Sequence, residues 1–323
     1  MKIAVVGCGA VGSFYGARLC RAGQEVYFLL RSDYDVVKQH GVQIESGEGD
    51  YRVRPFCAKH PEEIGPAELV LIALKSTANY RLQELVTPLV GQNTTLLTLQ
   101  NGLGNERQLA QYFPTAQVMG GLCFVCLNRT APGVVAHLAF GRVVLGEFGS
   151  IVRKSASDLA RDFNKAGIEC RVAPSLALAQ WEKLVWNIPF NGLGVAGAAG
   201  DWIFRRLNGQ AGTLPSPGPC LSTDRLLKDT AWSGLVKELM LEVIAAACAL
   251  GHELPQDLAD RFIERTRAMG SYKASTLLDF ERGQPLELES LFVEPLRQAQ
   301  QAGVKMPRLA ALCELLGRVN PAS

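Results

Sequence analysis

The chain opens on a short apolar, β-branched run at residues 2–6, which is cut off by Gly-Cys-Gly-Ala-Val-Gly at 7–12. Over 12–22 the apolar positions Phe14, Ala17 and Leu19 fall at helical spacing, and Gly23 stands where a helix-ending residue belongs. Residues 25–30 form a second strand pattern that closes at Arg31, and 51–55 alternate polar and apolar as an exposed strand does. The run 69–74 is continuously apolar, the pattern of a strand covered on both faces, and 94–99 is expected to be another buried strand. Helices are expected at 82–89 and 105–112, and a further strand at 117–127. Strands alternating with helices at this spacing predict a doubly wound parallel sheet.

Pro132-Gly133 opens a different stretch, with strands expected at 134–137 and 142–146 and a helix at 156–166. From about Ser175 the period is helical: 176–187, 231–250, 257–267, 276–282 and 308–316. The expected fold class is therefore α/β, with a Rossmann-type doubly wound domain at 1–173 followed by an all-helical domain at 174–323. Residues 208–222, rich in Gly, Pro and Ser, are expected to be a loop within the second domain.

Composition narrows the function. A chain of 323 residues with 48% hydrophobic and 20% charged content suits two globular domains. Lys plus Arg number 33 against 31 Asp plus Glu, a net charge of +2, too balanced for a protein that works by neutralising nucleic-acid phosphates. The longest apolar run, 243–250, falls far short of the roughly 20 residues a membrane span needs. The first apolar run stops at Gly7 with no cleavage-site pattern, so a buried strand is expected there rather than a secretion signal. Nine scattered cysteines do not make a disulfide framework and fit a reducing cytoplasm.

The glycine motif follows a strand and opens a helix, the context in which it indicates dinucleotide binding. Gly7 would permit the tight turn, Gly9 would let backbone approach a pyrophosphate, and Gly12 would allow helix to lie close on strand. Cys8, Ala10 and Val11 complete the loop and offer backbone N–H groups. The second strand ends not on an acid for a ribose hydroxyl but on Arg31, which favours the 2′-phosphate of NADP(H); a solvated surface arginine is the plainer alternative. Lys75 ends the third apolar run, either as a second phosphate cation or as a snorkelling lysine. Asn101, after the fourth run, is either a ribose or substrate contact or part of an Asn-Gly turn.

Lys183, Asn187 and Asn191 stand at i, i+4 and i+8, on one face if the helix survives Pro189. A cation and two amides suit a small anion and its developing alkoxide; a solvated lysine with two helix-end asparagines is the alternative. Ser275 and Glu287 flank a Gly-Gln-Pro turn at 283–285 that would bring their segments together, although spacing alone also allows a helix hydroxyl and a surface acid. Cys123 and Cys126 form a CxxC pattern on an expected strand, where i and i+3 face opposite ways, so core packing is expected. His40, His60, His137 and His252 are dispersed, and no metal is expected.

Nearly the full length of the chain resembles the ketopantoate reductases. The likeness runs through residues 7–12, Arg31, Ala-Leu-Lys-Ser at 73–76, Gln-Asn-Gly-Leu-Gly-Asn at 100–105, Pro-Gly-Val-Val-Ala-His at 132–137 and Gly-Glu at 146–147. Glu-Lys-Leu-Val-Trp-Asn at 182–187 and the stretch 273–289 complete it. The resemblance implies an NADP-binding first domain, a substrate-binding and catalytic second domain, and a site in the cleft between them. By position, Lys183 matches the acid that protonates the ketone oxygen, and Glu287 the acid that pairs with substrate hydroxyl and that lysine. Ser275 matches the hydroxyl for the substrate carboxylate, while Asn101, Asn187 and Asn191 match the site amides. Arg31 and Lys75 match the cations that select the 2′-phosphate. Two positions depart from the family pattern: Gly192-Leu193-Gly194 follows Asn191 in place of Pro-Leu-Thr, and Tyr272 stands where an asparagine is common.

The reading expected from all this is a cytoplasmic NADPH-dependent reductase of a small branched 2-oxo acid, ketopantoate first. A related dehydrogenase for another 2-oxo or hydroxy acid and a non-catalytic NADP(H) sensor are the rivals. The expected partner is the small oxo acid, with a second copy of the chain left open and neither nucleic acid nor membrane expected.

Overall fold

The computed structural model describes residues 1–210 and 212–320, and it divides into two units, Met1–Leu176 and Ala177–Ser323. Among the described residues, the first unit is built on one sheet of ten strands. They are β1 (Lys2–Val6), β2 (Glu25–Leu29), β3 (Val42–Ser46), β4 (Tyr51–Val53), β5 (Phe56–Ala58), β6 (Leu69–Ile72), β7 (Thr95–Thr98), β8 (Gln117–Ala131), β9 (Val134–Phe148) and β10 (Cys170–Val172). Their spatial order is β4-β3-β9-β8-β7-β6-β1-β2-β5, with β10 beside β9. The strands from β8 across to β5 run parallel, as expected for a Rossmann-type sheet.

The helices of this unit are α1 (Ala10–Arg21), α2 (Tyr34–His40), α3 (Leu82–Val86), α4 (Asn105–Tyr112) and α5 (Ala156–Lys165). Side chains alternate between two cores. Ile3 and Val5 of β1 join Phe14 of α1 and Phe163 of α5, whereas Ala4 and Val6 join Leu82, Val86 and Leu109 of α3 and α4. β6 repeats the pattern, with Leu69 and Leu71 on one side and Val70 and Ile72 on the other. A strand wrapped on both faces has no polar position to offer, which is why these runs are continuously apolar; each buried Val, Leu or Ile contributes about 1.5–3 kcal/mol.

The strands expected at 134–137 and 142–146 are one strand, β9, antiparallel to β8. The pairing skips Leu138 and Gly141, which stand as extra residues; such bulges bend a strand without ending it. Phe140 adopts φ +65°, and His137 buttresses it by linking the Phe140 carbonyl (2.6 Å) to the Ser46 hydroxyl (2.8 Å). His137 therefore has a structural part. The first half of β9 pairs with β3 and its second half with β10.

Among its described residues the second unit has helices and no strand. Its helices are α6 (Leu176–Ala196, starting at the last residue of the first unit), α7 (Trp202–Leu207), α8 (Thr223–Lys228), α9 (Thr230–Ala249), α10 (Leu258–Arg267), α11 (Ser275–Glu281), α12 (Glu294–Gln301) and α13 (Pro307–Val319). Of the expected loop 208–222, Ala211 lies outside the described residues and the others form neither helix nor strand. α6 runs nine residues beyond its expected end at 187, straight through Pro189. Proline there removes one backbone hydrogen bond. Val185, Ile188, Phe190 and Leu193 are all at most 1% exposed, and their burial holds the turn. No helix among the described residues is long and apolar enough to cross a membrane.

Candidate active site

β1 lies between β2 and β6, where successive crossovers leave in opposite directions, the point at which open α/β sheets bind ligands. The turn after β1 is pressed against the chain leaving β6. Gly7 has φ +97°, and a Cβ there would sit 2.4 Å from the Leu74 nitrogen. A Cβ on Gly12 would lie 2.2 Å from the Gly7 carbonyl oxygen. Gly9 is different: a Cβ would meet nothing within 4 Å, so its backbone borders open space.

The first bond of α1 runs from the Ser13 N–H to the Gly9 carbonyl (3.0 Å), so the N–H groups of Ala10, Val11 and Gly12 have no acceptor within the helix. The first turn of α1 carries no acid. Cys8 turns its thiol toward the Val5 and Leu29 carbonyls (both 3.5 Å), and burial pushes its pKa up. The cradle is thus backbone N–H groups at a helix N-terminus, the donor set that suits a diphosphate.

Arg31 is exposed just past the end of β2. The acid near it, Asp33, is committed elsewhere: it accepts from Arg129 Nε and Nη2, from the Gly133 N–H (3.2 Å) and from the Ser32 hydroxyl (3.0 Å). Burial raises its pKa, but the bonds from Arg129, Gly133 and Ser32 outweigh this and hold the carboxyl below its usual value. The residues present fit an NADP(H) dinucleotide. Lys75, also exposed, caps the tight turn Ser76–Arg81 after β6. Asn101 is half-buried in the loop before α4, where Gly102 and Gly104 take φ +87° and +90°. Its carbonyl accepts the Asn105 carboxamide (3.1 Å).

In the second unit, the unbroken α6 places Lys183, Asn187 and Asn191 on one face within about 80° of arc. Lys183 is half-buried, while Asn187 and Asn191 are buried. Asn191 Nδ2 donates to the Asn187 carbonyl (3.0 Å), and its Oδ1 accepts the Thr276 N–H (3.0 Å) and the Ser275 hydroxyl (3.3 Å). Three of its four hydrogen-bonding positions are therefore spent within the protein. Asn191 caps α11 and orients Ser275, a part that spacing did not reveal. Replacing it, Asn191→Leu, should destabilise the chain by about 1–3 kcal/mol in urea unfolding, because it strands buried partners. Unchanged unfolding with a raised substrate KM would make it a substrate contact instead.

Glu287 is 4% exposed and lies beyond the Gly283 turn, which takes φ +63°. The Gly192 and Gly194 departures have a packing cause. A Cβ on Gly192 would lie 2.5 Å from Leu312 of α13, and one on Gly194 would lie 3.0 Å from Leu277 of α11. The Tyr272 ring sits 6.2 Å from Trp186, which packs tilted against Phe190 at 4.9 Å and donates to Thr266 (2.9 Å). Cys123 and Cys126 are not joined by a disulfide. Among the described residues, no group of three or more His, Cys, Asp or Glu is placed to hold a metal ion.

A glycine cradle at the switch point of a Rossmann-type sheet, with a helical unit after it, defines a two-unit NADP-dependent oxidoreductase. Residues 3–150 match the family model described as ketopantoate reductase PanE/ApbA, and residues 220–320 match its C-terminal counterpart. The chain belongs to the ketopantoate reductase family. It is 36% identical over 317 residues to the 2-dehydropantoate 2-reductase of Nostoc sp., covering 96% of this chain and 92% of that one. The crystal structure of 2-dehydropantoate 2-reductase from Geobacter metallireducens is 41% identical, with a TM-score of 0.87 over 98% of this chain and 99% of that one. The corresponding structure from Methylococcus capsulatus is 33% identical, with a TM-score of 0.83 over 98% and 96%.

Proposed function

We propose that this protein reduces ketopantoate (2-dehydropantoate) to pantoate with NADPH, in the cytoplasm. The first unit holds the dinucleotide and the second holds the oxo acid. The observation that carries this reading is the 36% identity to a 2-dehydropantoate 2-reductase across 96% of the chain. The backbone cradle at 7–12 takes the diphosphate, and Arg31 and Lys75 take the 2′-phosphate. NADPH, when bound, supplies the hydride that the carbonyl carbon accepts.

The remaining work belongs to side chains of this chain. As the carbonyl oxygen gains negative charge, the Lys183 ammonium stabilises it and gives it a proton. Glu287 accepts from the substrate hydroxyl and pairs with Lys183. The Ser275 hydroxyl, whose one O–H is held by Asn191 Oδ1 at 3.3 Å, turns that donor to the substrate carboxylate when the oxo acid binds. Asn101 and Asn187 supply the other amides, and Asn191 has one N–H left to offer. Tyr272, in place of an asparagine and beside Trp186, is the observation that favours the second reading, a different 2-oxo acid.

The test is NADPH oxidation with ketopantoate beside a panel of straight, branched and aromatic 2-oxo acids. Ketopantoate is expected to give the highest kcat/KM. Another acid in first place would establish the second reading, and tight NADPH binding with no turnover on any acid would make the chain a sensor.

A further inference from the structure

A cluster of carboxamides between the ends of β6 and β7 has no part in the reading above. Asn79 lies in the turn Ser76–Arg81, directly after Lys75. Its Oδ1 accepts from Gln100 Nε2 (2.6 Å), and its Nδ2 donates to Asn105 Oδ1 (3.0 Å) and Gln108 Oε1 (2.9 Å). Gln100 in turn accepts the Thr98 hydroxyl (3.1 Å) at the end of β7, and Asn105 donates to the Asn101 carbonyl (3.1 Å). One carboxamide thus joins the turn that carries Lys75 to both ends of the loop that carries Asn101. That loop needs a tie. Gly102 and Gly104 hold positive φ, and glycine loses more backbone freedom on ordering than any other residue.

We propose that Asn79 is a positioning residue for the dinucleotide, holding Lys75 and Asn101 in fixed register through its bonds to Gln100 and Asn105. The proposal rests on the reading that these two residues serve NADPH. It assigns Asn79 no contact with either substrate. Gln108 is the outer arm of the cluster: it bonds Asn79 and the Tyr112 hydroxyl (3.1 Å), and neither bond runs to the Asn101 loop.

The experiment is fluorescence titration of the full chain with NADPH, for wild type, Asn79→Leu, Asn79→Gln and Gln108→Leu. Kcat at saturating cofactor and thermal midpoints are read alongside. Asn79→Leu is expected to raise the NADPH Kd about tenfold while kcat stays within about threefold, because stranding part-buried partners, Asn105 the most enclosed of them, costs about that much. Asn79→Gln, with the same functional group, should recover most of the affinity, and Gln108→Leu should stay within about twofold of wild type. Superimposable titrations for wild type and Asn79→Leu would overturn the proposal. So would equal losses for Gln108→Leu and Asn79→Leu, which would reduce the cluster to packing. A wild-type chain that does not bind NADPH overturns the cofactor reading and this proposal with it, a result distinct from the other two.

Discussion

Lys183→Ala is expected to lower kcat by about 10²–10⁴-fold, the range over which a positioned general acid acts. The substitution is well suited to the question. Alanine is the strongest helix former, and Lys183 is half-buried on a helix whose opposite side is packed, so α6 should persist. Lys183 also belongs to the second unit, whereas the glycine cradle belongs to the first, so NADPH affinity should be nearly unchanged. Loss of kcat with retained NADPH binding and an unchanged thermal midpoint would identify a group that acts on the reacting oxygen. Unchanged kcat would return Lys183 to the role of a solvated lysine. Lys183→Met, which keeps the apolar stem and removes only the charge, should fall in the same range; recovery by methionine would point to packing.

The elements that hydrophobic period revealed are those whose surroundings are uniform. β1, β6 and β7 lie between two cores, so apolar residues facing both ways mark their burial. α2 and β3 escaped because their segment buries little: Val37 is the one buried residue of α2, and β3 alternates weakly beside a sheet edge. α12 was hidden by Pro295, which reads as a breaker but stands in the first turn, where no N–H is needed. Pro189 posed the opposite problem, since its local preference is to break a helix and packing overrides it. In the candidate site, the glycine loop was legible because strand, turn and helix are contiguous in sequence. The Asn191 cap spans 85 residues to Thr276 and the Asn79–Asn105 bond spans 26, and no local period reports such bonds. Asn191 and Asn79 share a consequence: in both units, residues expected to touch ligand depend on an amide whose own bonds are spent within the protein.

Arg31→Ala is expected to weaken NADPH binding by about 10–100-fold, the loss that follows from removing charge-assisted bonds to a phosphate, and to change NADH binding by less than about twofold. The contrast between the two cofactors is the measurement, because they differ only at the 2′-phosphate. Arg31 is exposed, so the fold should not register its loss, and the thermal midpoint of the cofactor-free chain should hold. Exposure also makes the interaction sensitive to screening: raising ionic strength should narrow the wild-type preference for NADPH over NADH, and should do so less in the Arg31→Ala variant, where Lys75 alone remains. Lys75→Ala, the second cation, should act in the same direction with a smaller effect, since a lysine offers a point charge where arginine offers a planar fork. Equal losses for NADPH and NADH in Arg31→Ala would make this residue a solvated strand end, and cofactor selection would then have to reside in Lys75 and the backbone around it.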